Sequence, residues 1–419
     1  MTNSKHVPKR RFKEFELDDE WEQLKLGDHA NILTGGTPNT SISSYWEPKE
    51  IPWMSSGEVN RKRLDKTDNM ISNDGIRNSS ARWVKKHSIL IALAGQGKTR
   101  GMVAVNNILL TTNQSVAAIE PDKTLNYEFV FQNLSKRYDE LRLISSGDGS
   151  RGGLNKQIVS DISIACPNVN EQELIGNFLA DFDSLITMNQ HKLDKLKDLK
   201  KAYLTEMFPA EGERVPKRRF PGFEGEWEQK KLGQLMDVGS VKRVHQSDWR
   251  DRGVRFLRAR DIVSESKNKR PDDFLYIDEE LYKKYSAISG VVEKGDLLVT
   301  GVGTIGVPML VESSEPLYFK DGNIIWFKNK NLLDGHFFYY SFTARAIQKF
   351  IGDVAGVGTV GTYTIDSGKN TPILLPVTKE EQVVIGDFFK KLDQSITLQQ
   401  HKLDKLNDLK KAYLNELFV

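Results

Sequence analysis

Apolar positions along this chain follow two different periods. Short runs such as SILIALAG (88–95), VAAIE (116–120), DLLVT (296–300) and IIWF (324–327), each set among Gly, Asn and Ser turns, predict strands. Residues 127–143 and 335–351 read as helices within the same two stretches, 28–165 and 234–375. Each stretch is therefore expected to be a mixed α+β globule.

The second texture is longer. Phe182, Leu185, Asn189, Leu196, Leu199 and Tyr203 fall on a near 3,4 spacing, with Ile186 and Leu193 widening the stripe. Gln399, Leu406, Leu409 and Tyr413 are the corresponding positions of a second tail. Asn170 with Glu173, and Thr378 with Glu381, have capping-box spacing just after Pro167 and Pro376. A helix over 171–206 would be a rod of roughly 54 Å. Neither stripe has a local cover, so the two tails are expected to pair with each other, antiparallel, with Asn189 and Gln399 as polar residues fixing register. Gly176 and Gly386 interrupt both patterns at a helix-interior cost of about 1 kcal/mol, which points to close backbone approach there.

These tails expose a repeat that organises the whole chain. QHKLDKLKDLKKAYL (190–204) recurs as QHKLDKLNDLKKAYL (400–414), differing only at Lys197 and Asn407. The lead-ins VPKRRFKEFELDDEWEQLKLG, from Val7, and VPKRRFPGFEGEWEQKKLG, from Val215, match as well. The expected architecture is α+β: two pseudo-symmetric globules joined by two long antiparallel helices. The expected segments are 1–165 and 210–375 for the globules with their lead-ins, and 166–209 and 376–419 for the helices.

Composition narrows the function. The 419 residues carry 60 Lys+Arg against 57 Asp+Glu, a net charge of +3, with a single cysteine and seven histidines. Cys166 cannot form an internal disulfide, no Cys/His cluster has metal-ligand spacing, and Cys166 is expected to be a small buried hydrophobe. With a polar start and no long apolar run, the chain is expected to be cytoplasmic and without a membrane span. The near-neutral sum hides asymmetry. Residues 75–119 contain no Asp or Glu, yet hold Arg77, Arg82, Lys85, Lys86, Lys98 and Arg100; residues 242–270 hold ten basic residues against four acidic ones. Two basic islands point to two polyanion contacts.

Catalytic motifs fail on inspection. The Gln96-Gly-Lys-Thr99 string lacks the earlier glycine of a P-loop, since that position is Ala92. Gly301 to Gly306, GVGTIG, has the letters of a dinucleotide fingerprint and Asp321 at a suitable distance. Pro308 and an apolar run follow it, however, where the fingerprint needs a helix, so a tight glycine hairpin is expected. No Asn/Asp-Pro-Pro-aromatic loop for amino-methylation occurs, and His29, His87, His245 and His336 stand isolated. Trp21 and Trp227 open matching WEQ motifs and are read as packing residues. No catalytic or metal site is nominated.

The W-E-x-x-K-L-G entries (Trp21 to Gly27, Trp227 to Gly233) and the runs PNVNEQELIGNFLADFDSLI and PVTKEEQVVIGDFFKKLDQSI resemble a specificity (S) subunit of type I restriction-modification systems. The resemblance spans essentially the whole chain. It implies that each globule is a target recognition domain reading one half of an asymmetric bipartite site in double-stranded DNA. It implies further that two methyltransferase subunits dock on the chain, that restriction (translocase/nuclease) subunits can join them, and that the helices set the spacer. The chain itself would bind no cofactor: S-adenosylmethionine would belong to the methyltransferase, ATP and Mg to a restriction partner. One departure is visible, because GLNKQIVSDISIACP closes the first globule and TYTIDSGKNTPILLP the second, so equivalent loops need not meet DNA identically.

Basic residues near glycine-rich loops are the natural DNA contacts. In the first globule these are Arg61, Lys62, Arg63, Lys98, Arg100 and Arg151, with Gln96 and Asn113 as base readers through amide edges. In the second they are Lys242, Arg243, Arg255, Arg258, Arg260, Lys267 and Lys269; Arg258 and Arg260, two apart on an expected strand, would face one side. Two rival readings are a free-standing two-headed transcriptional regulator and a purely structural coiled-coil scaffold. No helix-turn-helix or zinc-finger pattern supports the first, and the basic islands are unexplained by the second.

Overall fold

The computed structural model describes residues 6–95, 99–144, 153–267, 269, 271, 273–356 and 361–419. They form two compact units: Met1–Gln190 with His401–Val419, and His191–Gln400. This division differs from the four segments expected from sequence, because each long helix contributes one part to each unit.

In the first unit, five strands run in the order Ala30–Thr34, Val116–Pro121, Ile89–Ala92, Val103–Asn106 and Arg63–Leu64. The run at Ile89–Ala92 is continuously apolar because both faces are covered. Ile89 and Ile91 pack with Phe129 and Val130 of the helix Tyr127–Lys136, whereas Leu90 and Ala92 pack with Met54 and Val59. A second, outer sheet runs Asn69–Ile71, Ile51–Met54, Leu110–Thr112, Trp83–Val84, with Ile51–Met54 parallel to Leu110–Thr112. The WEQ entry forms a ribbon, Glu22–Lys25 against Ser163–Cys166.

The second unit repeats this plan. Its inner sheet runs Asp237–Gly239, Ile324–Lys328, Leu297–Thr300, Pro308–Leu310, and its outer sheet runs Leu275–Ile277, Val254–Leu257, Leu317–Phe319. Val254–Leu257 pairs antiparallel with one neighbour and parallel with the other, as Ile51–Met54 does. Leu297 and Val299 enter one core cluster and Leu298 the other. Glu228–Lys231 pairs with Pro372–Leu375.

The long helices are Val169–Glu206 and Lys379–Leu417. Within the first unit, Phe178 meets Tyr413 at 4.9 Å between ring centroids and Asp183 pairs with Lys410, so the two segments run antiparallel. Within the second, Tyr203 meets Phe388 at 5.0 Å and Lys200 pairs with Asp393 at 2.6 Å, again antiparallel. The glycines are sites of close approach, as expected. A Cβ on Gly176 would lie 2.9 Å from the Phe129 backbone nitrogen, and one on Gly386 2.8 Å from that of Phe337.

Two expectations about these helices need correction. The inward stripe, buried or half-buried throughout, runs Ile175, Leu179, Phe182, Ile186, Asn189, Leu193, Leu196, Lys200, Tyr203, a regular 4,3 alternation, so Leu185 (43% exposed) and Leu199 (42%) lie off it, while Leu193 (1%), expected to widen the stripe, lies fully on it. Leu409, the counterpart of Leu199, is exposed as well; Asn189, Leu196, Gln399, Leu406 and Tyr413 keep stripe positions. The phase is set by Lys200 and Lys410, which turn inward to reach carboxylates. The first cap is Asn168, not Asn170: its Oδ1 accepts the Glu171 N–H at 3.0 Å, matching Thr378, whose Oγ1 accepts that of Glu381 at 3.3 Å.

The repeated lead-in explains why. Arg11 donates to Glu171 at 2.9 and 2.6 Å, and Arg219 to Glu381 at 2.7 and 2.7 Å, each pair almost fully buried. The preceding arginines meet the ends of the helices: Arg10 with Glu416 and Arg218 with Glu206, both at 2.6 Å. The KRR motif is thus a helix clamp.

Candidate nucleic-acid interface

Five of the predicted contact residues, Arg61, Lys62, Arg258, Arg260 and Lys267, lie at one recurring element, the turn that leaves an inner strand of each outer sheet. After Ile51–Met54 comes the 3-10 turn Ser56–Arg61; after Val254–Leu257 comes the helix Ala259–Ser266. A buried carboxylate builds both junctions. Glu58 accepts from the Ser55 N–H at 2.8 Å, and Asp261 from the Arg258 N–H at 2.8 Å, so in both frames a carboxylate three residues on satisfies the N–H that opens the turn.

In each junction an arginine also bridges that buried carboxylate to an exposed one. Arg61 reaches Glu58 and, at 2.5 Å, Asp68. Arg258 reaches Asp261 and Asp273, both at 3.1 Å. Hydrogen bonding to Asp68 raises the pKa of Arg61; burial opposes ionisation of Arg258, and its two carboxylates more than restore it. Asp68 and Asp273 were not signalled by the sequence, since their role depends on arginines brought near only by the fold.

The remaining candidates sort clearly. Lys62 is exposed, with a positive φ of 63°. Arg63 is half-buried and engaged within the fold: it donates to both Glu128 oxygens at 2.9 and 2.6 Å, reaches Asp183 at 3.3 Å and lies 5.2 Å from the Phe131 ring centroid. It ties the inner sheet to the long helix instead. Arg100 donates to the Arg142 carbonyl at 2.8 Å. Asn113 spends its Oδ1 on the Ser115 N–H at 3.1 Å. Gln96, Lys98 and Arg151 lie outside the described residues.

In the second unit, Lys242, Lys267 and Lys269 are exposed, and Arg243 pairs with Asp321 at 2.8 Å. Arg258 and Arg260 are not strand neighbours. The strand ends at Leu257, and Asp261 captures Arg258 as the N-cap of the next helix. Both arginines still converge, on Asp273. Arg255 remains on the strand, its guanidinium 4.0 Å from the Phe274 ring centroid.

The expectations for the GVGTIG segment, for Trp21 and Trp227 and for Cys166 hold. The GVGTIG segment is a hairpin tip, with the Thr300 N–H donating to the Val307 carbonyl at 3.0 Å and the Gly306 N–H to that of Thr300 at 2.8 Å. Trp21 and Trp227 are core residues. Cys166 is buried, which pushes its thiol up to about 12. Among the described residues no group of three or more His, Cys, Asp or Glu is placed to hold a metal ion, and no helix is long and apolar enough to cross a membrane.

The family model for the type I restriction modification DNA specificity domain matches residues 18–198 and again 224–408. The chain is similar to the type I restriction enzyme MjaVIII specificity subunit of Methanocaldococcus jannaschii, 23% identical over 428 residues, covering 96% of this chain and 93% of that one. It is 28% identical over 176 residues to the EcoR124I/EcoR124II specificity subunit of Escherichia coli, covering 42% of this chain and 43% of that subunit. Its fold resembles the crystal structure of the type I restriction-modification system S subunit from M. genitalium, with a TM-score of 0.65, 15% identity and 99% coverage of both chains.

Proposed function

The chain belongs to the family of type I restriction-modification DNA specificity subunits, and from that premise we propose how it divides its labour. Each globule is a target recognition domain that reads one half of an asymmetric bipartite site. The observation that carries this reading is one scaffold used twice with different residues at the same junction: Ser55, Ser56 and Gly57 stand where the second unit has Arg258, Ala259 and Arg260. A shared frame supports a shared mode of docking, while changed side chains support different base sequences.

The long helices are the ruler. A helix of 38 residues rises ~57 Å, more than the ~34–36 Å of one duplex turn, so its length can fix the unspecified spacer. Leu185, Met188, Leu199, Leu398 and Leu409 leave apolar side chains exposed along the two helices. A lone chain has no use for such positions, and we assign them to the docking of two methyltransferase subunits. Those partners supply the chemistry and S-adenosylmethionine, and restriction subunits, where present, supply ATP-dependent translocation with Mg. This chain contributes the address alone. Deleting seven residues from both helices at equivalent positions tests the ruler: the spacer of the methylated motif should shorten or methylation should cease, and an unchanged motif refutes it.

A further inference from the structure

Resting on that reading of the globules, we propose that Arg255 is a specificity-determining residue of the second unit, presenting its guanidinium edge from the Phe274 ring to an acceptor on the edge of a DNA base. The outer-sheet strand alternates: Val254 and Phe256 are buried in the core, so Arg255 faces the other way and is half-buried. Its backbone is held on both sides, opposite Tyr276 in the antiparallel ladder and Leu317 in the parallel one. The side chain therefore stands on a rigid frame.

What distinguishes Arg255 from its neighbours is unspent bonding capacity. Arg258 and Arg260 are both engaged by carboxylates, on Asp261 and Asp273. Arg255 makes no ion pair among the described residues, and its one hydrogen bond there is a long one, Nη1 to the Leu275 carbonyl at 3.4 Å. A guanidinium carries five N–H donors in a planar fork. Burial lowers its pKa, and the carboxylates of Asp261 and Glu265 act on it only at a distance. Among the described residues this half-desolvated cation, stacked on a ring, has no acceptor beyond the Leu275 carbonyl; guanine O6 and N7 match its fork.

Comparison of the two units adds an independent argument. Pro52 holds the position of Arg255 in the first outer sheet, between buried Ile51 and Trp53 and opposite Met70. Proline has no side-chain donor, so the same scaffold position is mute in one unit and donor-rich in the other. The assignment thus predicts a base contact confined to the second half-site. Arg258 is a positioning residue here, since its bonds to Asp261 and Asp273 fix the turn beside Arg255.

The test uses the full chain with its methyltransferase partner and a duplex carrying the motif that this complex methylates in its host. Competitors each alter a single base pair. Arg255→Lys keeps the charge and removes the fork; Phe274→Leu keeps bulk and removes the ring; thermal unfolding accompanies each. The expected result is that discrimination at one base pair of the second half-site falls roughly 5- to 150-fold in Arg255→Lys, with the first half-site unaffected. Phe274→Leu should weaken discrimination at the same base pair. Unchanged discrimination in a folded Arg255→Lys complex, or equal loss at every position, overturns the proposal. A wild-type complex that discriminates no base pair overturns the functional reading itself, and that failure is seen before any variant is made.

Discussion

Arg11 grips Glu171 from 160 residues away, Nε to Oε1 at 2.9 Å and Nη2 to Oε2 at 2.6 Å, and both side chains are almost fully buried. Arg219 holds Glu381 in the same manner. Each carboxylate occupies the first turn of a long helix, where the unsatisfied backbone N–H groups also favour negative charge. Breaking a buried pair by removing one partner leaves the other charge uncompensated, at a cost of about 3–5 kcal/mol. Arg11→Ala and Arg219→Ala should each lower stability in denaturant titrations by that order. A loss below about 1 kcal/mol would mean that the pairs are solvated and the lead-ins merely tethered.

The Asp183–Lys410 pair should make stability depend on acid. Burial works against ionisation of Asp183, but Lys410, Gln132 and Arg63 outweigh it and hold the carboxyl below its ordinary value. Burial also pulls the Lys410 ammonium below its own usual value, so the acid side is where the pair shows itself. A carboxyl with a depressed folded pKa stabilises fully above the unfolded value, about pH 4, and that contribution is lost as pH falls through the folded value. The stability gap between wild type and Asp183→Asn should therefore be widest near pH 7 and should shrink below about pH 4. A gap independent of pH from 7 to 3 would contradict this.

Leu193 and Leu199 separate packing from docking. Leu193 is 1% exposed, so Leu193→Ala should cost about 2–5 kcal/mol. Leu199 is 42% exposed, so Leu199→Ala should cost well under 1 kcal/mol and instead weaken co-purification of the methyltransferase. Equal destabilisation by the two variants would restore the stripe expected from the sequence.

Much of this organisation was legible in the letters because it is local or periodic. The offset repeat announced two equivalent units, the run at Ile89–Ala92 announced a strand, and Gly176 and Gly386 announced close approach. What escaped depends on partners distant in sequence. Leu199 has the better hydrophobic side chain, yet Lys200 takes the inward place because Asp393, 193 residues away, awaits it. Arg63 reads as part of a basic surface, but Glu128 and Asp183, 65 and 120 residues away, draw it inward. Arg258 looks like a strand residue until Asp261 ends the strand by capping. Charge and spacing reported which residues could meet DNA, and the ion pairs of the fold decided which were already committed.

The central claim is that two dissimilar reading heads act independently on a repeated frame. Exchanging residues 28–165 for the corresponding globule of another family member, then sequencing the methylated bases of a host carrying the chimera and its methyltransferase, tests it most directly. The account predicts a motif in which one half-site is new while the other half-site and the spacer are retained. A motif changed in both halves, or in neither, would contradict it.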